Sequence, residues 1–332
     1  MQKGIENPAL ILTLPIFLDI KWEMKPAAYF LIVIITLLTA CAGARPAPDT
    51  SEAQKAGHRE TAKGNDWFRK GCHRSAWESF LRAHRHFVLA GDPVGEAMAL
   101  NNMGTVYRAT GDISGALVLF DEAVALHRHL PEASGLLQSL SNRAAALIDD
   151  NRLEEAAGAI ASAQQVADRL KIPFSPLRVN QGIYYRKKGD FEAAKKFFET
   201  AVQTAKPRNF GQIATAQSAL GNLLLDKDQT EAALPHLAAA LEADRASGNL
   251  PGIADDLAAI GNAYIRQGDI IQGVDYLKRG LLSYAAMGDK KQAETILVTL
   301  EKICREADCR LEGIRHLATQ YLEGPLSQGL CD

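Results

Sequence analysis

One pattern, recurring about every forty residues, constrains this 332-residue chain more than anything else in it. It is clearest in Ala97–Leu130, where two apolar stripes of helical period flank Thr110-Gly111-Asp112. Leu100, Met103, Gly104 and Tyr107 share one face of the first stripe; Ala116, Leu117, Phe120, Ala123 and Val124 share one face of the second. Gly111 is placed to end the first helix in the left-handed conformation that glycine adopts without steric cost, and Asp112 to cap the second. The stretch predicts two antiparallel helices joined by a tight turn, neither of which can bury its apolar face alone.

The same slots return along the chain. A small slot holds Gly64, Gly104, Ala144, Gly182, Gly221, Gly261 and, breaking the rule, Glu301. The turn slot holds Gly71, Gly111, Asn151, Gly189, Asp228, Gly268 and Asp308. In the second helix the bulky slot holds Phe80, Phe120, Ile160, Phe198, Leu237, Leu277 and Leu317. Small residues let the helices touch, and the bulky residue fills the space beside the contact. Prolines at 93, 131, 173, 207 and 251 fall between units, where they stop the outgoing helix.

The stretch Leu100, Met103-Gly104, Tyr107, Ala116, Phe120 resembles the tetratricopeptide repeat, whose common form is 34 residues long. The units here are longer, as in the long-repeat branch of that family. The resemblance implies an all-α, right-handed superhelical solenoid of about seven helix pairs over residues 57–322, with the degenerate seventh pair as a terminal cap and 323–332 as a tail. Composition agrees: 47% hydrophobic residues supply a core, and a net charge of −2 gives no basic excess for nucleic acid.

Residues 1–40 read as a signal peptide. Met1–Glu23 holds an apolar run broken by Pro15 and Asp19, too short to span a bilayer. Met24-Lys25 then opens a second start, followed by the apolar run Ala27–Leu38 and Leu38-Thr39-Ala40-Cys41, so Met24 is the expected true start. The last four residues resemble the lipobox of bacterial lipoproteins. That resemblance implies cleavage before Cys41, its acylation (palmitate among the chains) and, since Ala42 follows rather than Asp, an outer-membrane location facing the periplasm. A plain anchor helix with a chance cysteine is the other reading. Residues 41–56 are small, polar and proline-containing, as a flexible tether would be.

An oxidising compartment would permit disulfides among Cys72, Cys304, Cys309 and Cys331, with three possible full pairings. A bridge within Cys304, Cys309 and Cys331 would staple the cap; free buried thiols are the alternative.

The family resemblance puts the first helix of each pair on the concave side. Two positions there, two before and one after the small slot, share a face and carry Asn65, Asn102, Asn142, Asn180, Asn222 and Asn262. Asparagine is a poor helix-interior residue, so a row of six needs a reason. One reason is a ladder of amides that pairs with the backbone of an extended peptide, as in long-repeat relatives. The other is that each amide bonds to the next unit and sets the repeat spacing. Arg108, Arg186, Lys187 and Arg266 either meet carboxylates of a partner or sit as solvated helix ends. The groove is expected to end at Thr299 and Lys302 in the seventh unit.

His84-Arg85-His86 and His127-Arg128-His129 lack metal-pair spacing and are expected at the surface. No nucleophile elbow, phosphate loop or zinc spacing occurs, and the repeats leave no room for a separate catalytic domain. The expectation is a non-enzymatic, cofactor-free scaffold or adaptor whose partner is another protein or peptide in the cell envelope, with neither nucleic acid nor a small-molecule substrate. Lipoproteins of this family serve pilus or secretin assembly, outer-membrane protein assembly, or recruitment of cell-wall hydrolases. A self-assembling spacer without a peptide client is the rival reading.

Overall fold

A computed structural model describes residues 51–131, 133–307, 309–324 and 331. The expected signal peptide, Cys41 and most of the tether lie outside the described residues. Among those described, fourteen helices and no strands are present: α1 (Glu52–Arg69), α2 (His73–Ala90), α3 (Pro93–Ala109), α4 (Ile113–Arg128), α5 (Ala133–Asp149), α6 (Leu153–Leu170), α7 (Ser175–Lys187), α8 (Phe191–Thr204), α9 (Phe210–Asp226), α10 (Thr230–Ser247), α11 (Leu250–Arg266), α12 (Ile270–Ala286), α13 (Lys290–Ala307) and α14 (Glu312–Glu323). They stack as an all-α solenoid.

The local rules operate as read. The turn residues Gly71, Gly111, Asn151, Gly189, Asp228 and Gly268 all have positive φ, from 55° to 86°. Asp112 Oδ1 accepts from the Gly115 amide at 2.9 Å, and Asp92, Asp190 and Asp269 cap α3, α8 and α12 in the same way. Close approach explains the small slot: a Cβ on Gly104 would lie 2.7 Å from Cε1 of Phe120, which is itself fully buried. Pairs one, two, four, five and six therefore pack a ring or a leucine over a missing side chain, and the core runs along the array as a series of local clusters.

Several expectations are corrected. The array starts at Glu52 rather than 57, because Ser51 Oγ accepts from the Gln54 amide while the Gln54 side chain accepts from Ser51 N, a reciprocal cap that the polar composition of the tether concealed. The seventh pair is not a regular hairpin. Leu317 is 47% exposed and Leu300 and Ala318 are buried in its stead, a shift of register on both helices. α14 packs on α12 and barely touches α13. The last helix buries its apolar face against the preceding pair rather than against its own partner helix. His127 is buried rather than superficial: its ring lies where a side chain at position 135 would be, and Gly135 leaves that space.

Two disulfides close loops of very different size. Cys304–Cys309 bridges the turn between α13 and α14, and Cys72–Cys331 joins the first turn of the array to its C-terminal end across 259 residues. Cys331 thus pairs outside the C-terminal set. Among the described residues, no helix is long and apolar enough to cross a membrane.

Candidate functional site

The first helices of successive pairs, α3, α5, α7, α9 and α11, pack directly on one another, whereas the second helices of those pairs do not. Elements that crowd together line the inner side of a curve, so the inner face belongs to the first helices.

The six asparagines divide along this face. In α5, Asn142 Nδ2 donates to Asn101 Oδ1 of α3 at 3.1 Å, while its own oxygen accepts from Gln138 Nε2. In α7, the buried Asn180 Nδ2 donates to both the carbonyl (2.7 Å) and hydroxyl (2.9 Å) of Ser141 in α5. Both amides therefore tie one repeat to the one before it. Asn102 occupies the equivalent slot of α3 but has no such partner; the residue that would meet it, Thr61, turns its hydroxyl to its own helix at Gly57 O. Asn222 donates only to Ser218 one turn back in α9, at 3.2 Å. Among the described residues nothing bonds the side chains of Asn65 and Asn262, which are exposed.

Asn222 and Asn262 instead open into a cleft of about 850 Å³ walled by α9, α11 and α13. Thr299 and Lys302 close its far wall, and Ala258 and Ala259 floor it. Alanine makes the opening: Ala259 stands in the slot where Asn142 and Asn180 reach back to the preceding helix. Asp226, Asp255 and Glu306 also line the cleft. Asp255 accepts from the Tyr284 hydroxyl, and burial raises its carboxyl above the ordinary carboxylate range. Sequence reasoning missed these carboxylates, although the spacing Ser218, Asn222, Asp226 and Asp255, Asn262, Arg266 places them on the asparagine stripe.

The four basic residues are engaged within the chain. Arg108 Nε meets Asp149 at 2.6 Å; Arg186 pairs with Asp226; Lys187 Nζ donates to Ile148 O at 2.5 Å; Arg266 donates to Leu225 O and meets Asp228 at 3.2 Å. Arg108 and Arg186 reach forward to a carboxylate of the following repeat, whereas Lys187 and Arg266 reach back to a helix-end carbonyl of the preceding one, where a cation completes the open end of the helix. They form a rim that joins repeats two to six rather than a set of free cations facing a groove.

Beneath the open half lies a buried acid pair. Asp256 is 1% exposed, and burial together with the neighbouring Asp244 pushes its carboxyl up to about 8. Asp244, also raised by burial, accepts from Asn249 Nδ2 at 2.9 Å. Burial beside a second carboxyl thus favours the protonated form of Asp256.

Tetratricopeptide repeat families match residues 97–130 and residues 175–206. No curated protein matches the chain. Among solved structures, a Rap protein complexed with Competence and Sporulation Factor superposes with a TM-score of 0.55 at 15% identity, over 77% of this chain and 77% of that one. The Rap conjugation gene regulator of the plasmid pLS20, in complex with a Phr peptide, gives 0.54 at 16% identity over 89% and 86%. A thermophilic repeat protein from Thermus thermophilus is 22% identical over 62% of this chain and 99% of that one, with a TM-score of 0.47. The two Rap structures share the fold.

Proposed function

This chain is a tetratricopeptide repeat protein, and from that premise we propose that it is an adaptor that holds an extended segment of a partner protein in the cleft of α9, α11 and α13. The observation that carries the reading is the placement of the Asn222 and Asn262 amides, with Lys302 beyond them, along one open wall of that cleft. Amides offer both a donor and an acceptor to a peptide backbone whatever its side chains, and Ala258 and Ala259 let that backbone approach. The Rap structures of the same fold are complexes with Competence and Sporulation Factor and with a Phr peptide, which supports a partner of this kind. Engagement of Asn142 and Asn180 between repeats restricts the proposed site to the last three pairs.

The second part of the proposal is location. Leu38-Thr39-Ala40-Cys41 after a basic start and an apolar run supports export and lipidation at Cys41, which would hold the array at the cell envelope. Palmitate labelling that disappears in Cys41→Ser is the expected result; an unlabelled, soluble wild type would remove this part while leaving the cleft untouched.

The cleft is tested by photo-crosslinking in cells from a probe at Asn262, with a control probe at Ile271, which is 84% exposed on α12. A discrete partner captured from position 262 and not from 271 is expected. Equal capture from both sites, or crosslinks only to a second copy, would overturn the adaptor reading in favour of a self-assembling spacer.

A further inference from the structure

The Cys72–Cys331 disulfide joins the two ends of the described array. Around it the first repeat meets the late ones. A Cβ on Gly71 would lie 3.3 Å from Pro251 of α11 and 3.7 Å from Met287 just ahead of α13. Ser75 Oγ donates to Cys331 O at 3.1 Å. His73 lies close enough to Asp289 for that carboxylate to oppose the lowering that burial imposes on the imidazole.

Apart from the disulfide this seam is thin. α1 and α2 share extensive packing with each other and with the next pair, and none of comparable extent with α11, α12 or α13. Its charges also oppose closure. Arg69 of the first repeat shares a cleft of about 660 Å³ with Lys206 and Arg208 from the loop before α9, and among the described residues no carboxylate lines that cleft. Asp66 lies 3.3 Å from Arg69 on its own helix but 2.8 Å from Lys70, so its charge is shared between two cations. Like charges across an intramolecular contact favour separation.

We propose that the Cys72–Cys331 disulfide is a redox latch: it holds the first repeat against the late repeats, and its reduction lets the seam open. Cys72 is 2% exposed whereas Cys331 is half-buried, so Cys331 Sγ is the sulfur that a reductant reaches. A thiolate of a small dithiol attacks Cys331 Sγ, the disulfide breaks, and Cys72 leaves as a thiolate that takes a proton. The second thiol of the reductant resolves the mixed disulfide and releases the Cys331 thiol. The dithiol loses two electrons and the protein disulfide gains them. Opening detaches the first repeat from α11 and from the end of α12, next to the cleft helices.

The test places spin labels, attached through a non-cysteine ketone side chain, at Arg74 and Gln203 of the otherwise intact chain and measures their separation. The oxidised protein is expected to give one narrow distance. Dithiothreitol, or Cys331→Ser, is expected to lengthen and broaden it with helical circular dichroism unchanged, whereas Cys309→Ser leaves it narrow. Arg208→Glu in the reduced protein is expected to restore the narrow distance by pairing with Arg69. An unchanged narrow distance after reduction, with thiol titration showing Cys72 and Cys331 free, would overturn the latch and assign closure to the non-covalent contacts. Loss of helical signal in Cys331→Ser with reduced wild type still narrow would overturn it equally.

Discussion

The middle and the end of the inner face use the same residue type for opposite purposes. In α5 and α7, Asn142 and Asn180 are joined to Asn101 and Ser141 of the preceding helix. In α9 and α11, Asn222 and Asn262 stand three positions further along and face an open cleft. Three residues on a helix is nearly one turn, so both slots share a broad face. They differ in what lies opposite. A polar group three before the small slot of the preceding repeat captures the first kind, and Ala259 in the first slot leaves room for the second. The row of amides is thus not one ladder but two sets, one that bonds successive repeats together and one that lines an open cleft.

The comparison can be sharpened or broken by substitution. The largest effect is expected beneath the open half. Asp256 binds a proton in the folded state up to about pH 8 but, unfolded, only to its ordinary value near 4. The folded state therefore holds more protons between those values, stability falls as pH rises through that window, and the fall ends above pH 8. Asp256→Asn is expected to flatten the dependence, read as urea midpoints from about pH 4 to about pH 9; an unaltered slope would place its origin elsewhere.

Asn180→Ala comes next. It leaves the buried Ser141 hydroxyl without the amide that meets it, and a loss of about 2 kcal/mol is expected in chemical denaturation. Asn262→Ala, by contrast, is expected within about 0.5 kcal/mol of wild type because the side chain is exposed and unbonded. If the two changes cost the same, the division of the row fails.

Ala259→Asn converts the open half into the sewn one. The new amide fills the cleft floor, so capture of a partner from position 262 is expected to fall roughly tenfold, equivalent to about 1.4 kcal/mol. Unaltered capture would move the binding site off this cleft. The smallest effect belongs to the rim: Arg108→Ala breaks a largely solvated ion pair and is expected to cost under about 1 kcal/mol, less still at high salt.

Much of this was legible in the chain itself. The period of about forty residues, the turns, the aspartate caps and the glycine slots rest on local physics: helical periodicity, positive φ, and a side-chain oxygen three residues from an amide. Residues within one hairpin see each other whatever the rest of the molecule does, so the fold class followed from sequence alone. Four things needed the tertiary structure. Whether an asparagine bonds or stays open depends on the residue opposite it on another helix, about forty positions away. α14 lies on α12 rather than on α13, which only the assembled pairs reveal, and His127 is buried because Gly135 of the next repeat yields the space. Cys72 finds Cys331 across 259 residues because the stack of repeats brings its first turn back against its last ones. That last contact depends on how small rotations accumulate from pair to pair, and no single repeat carries that sum.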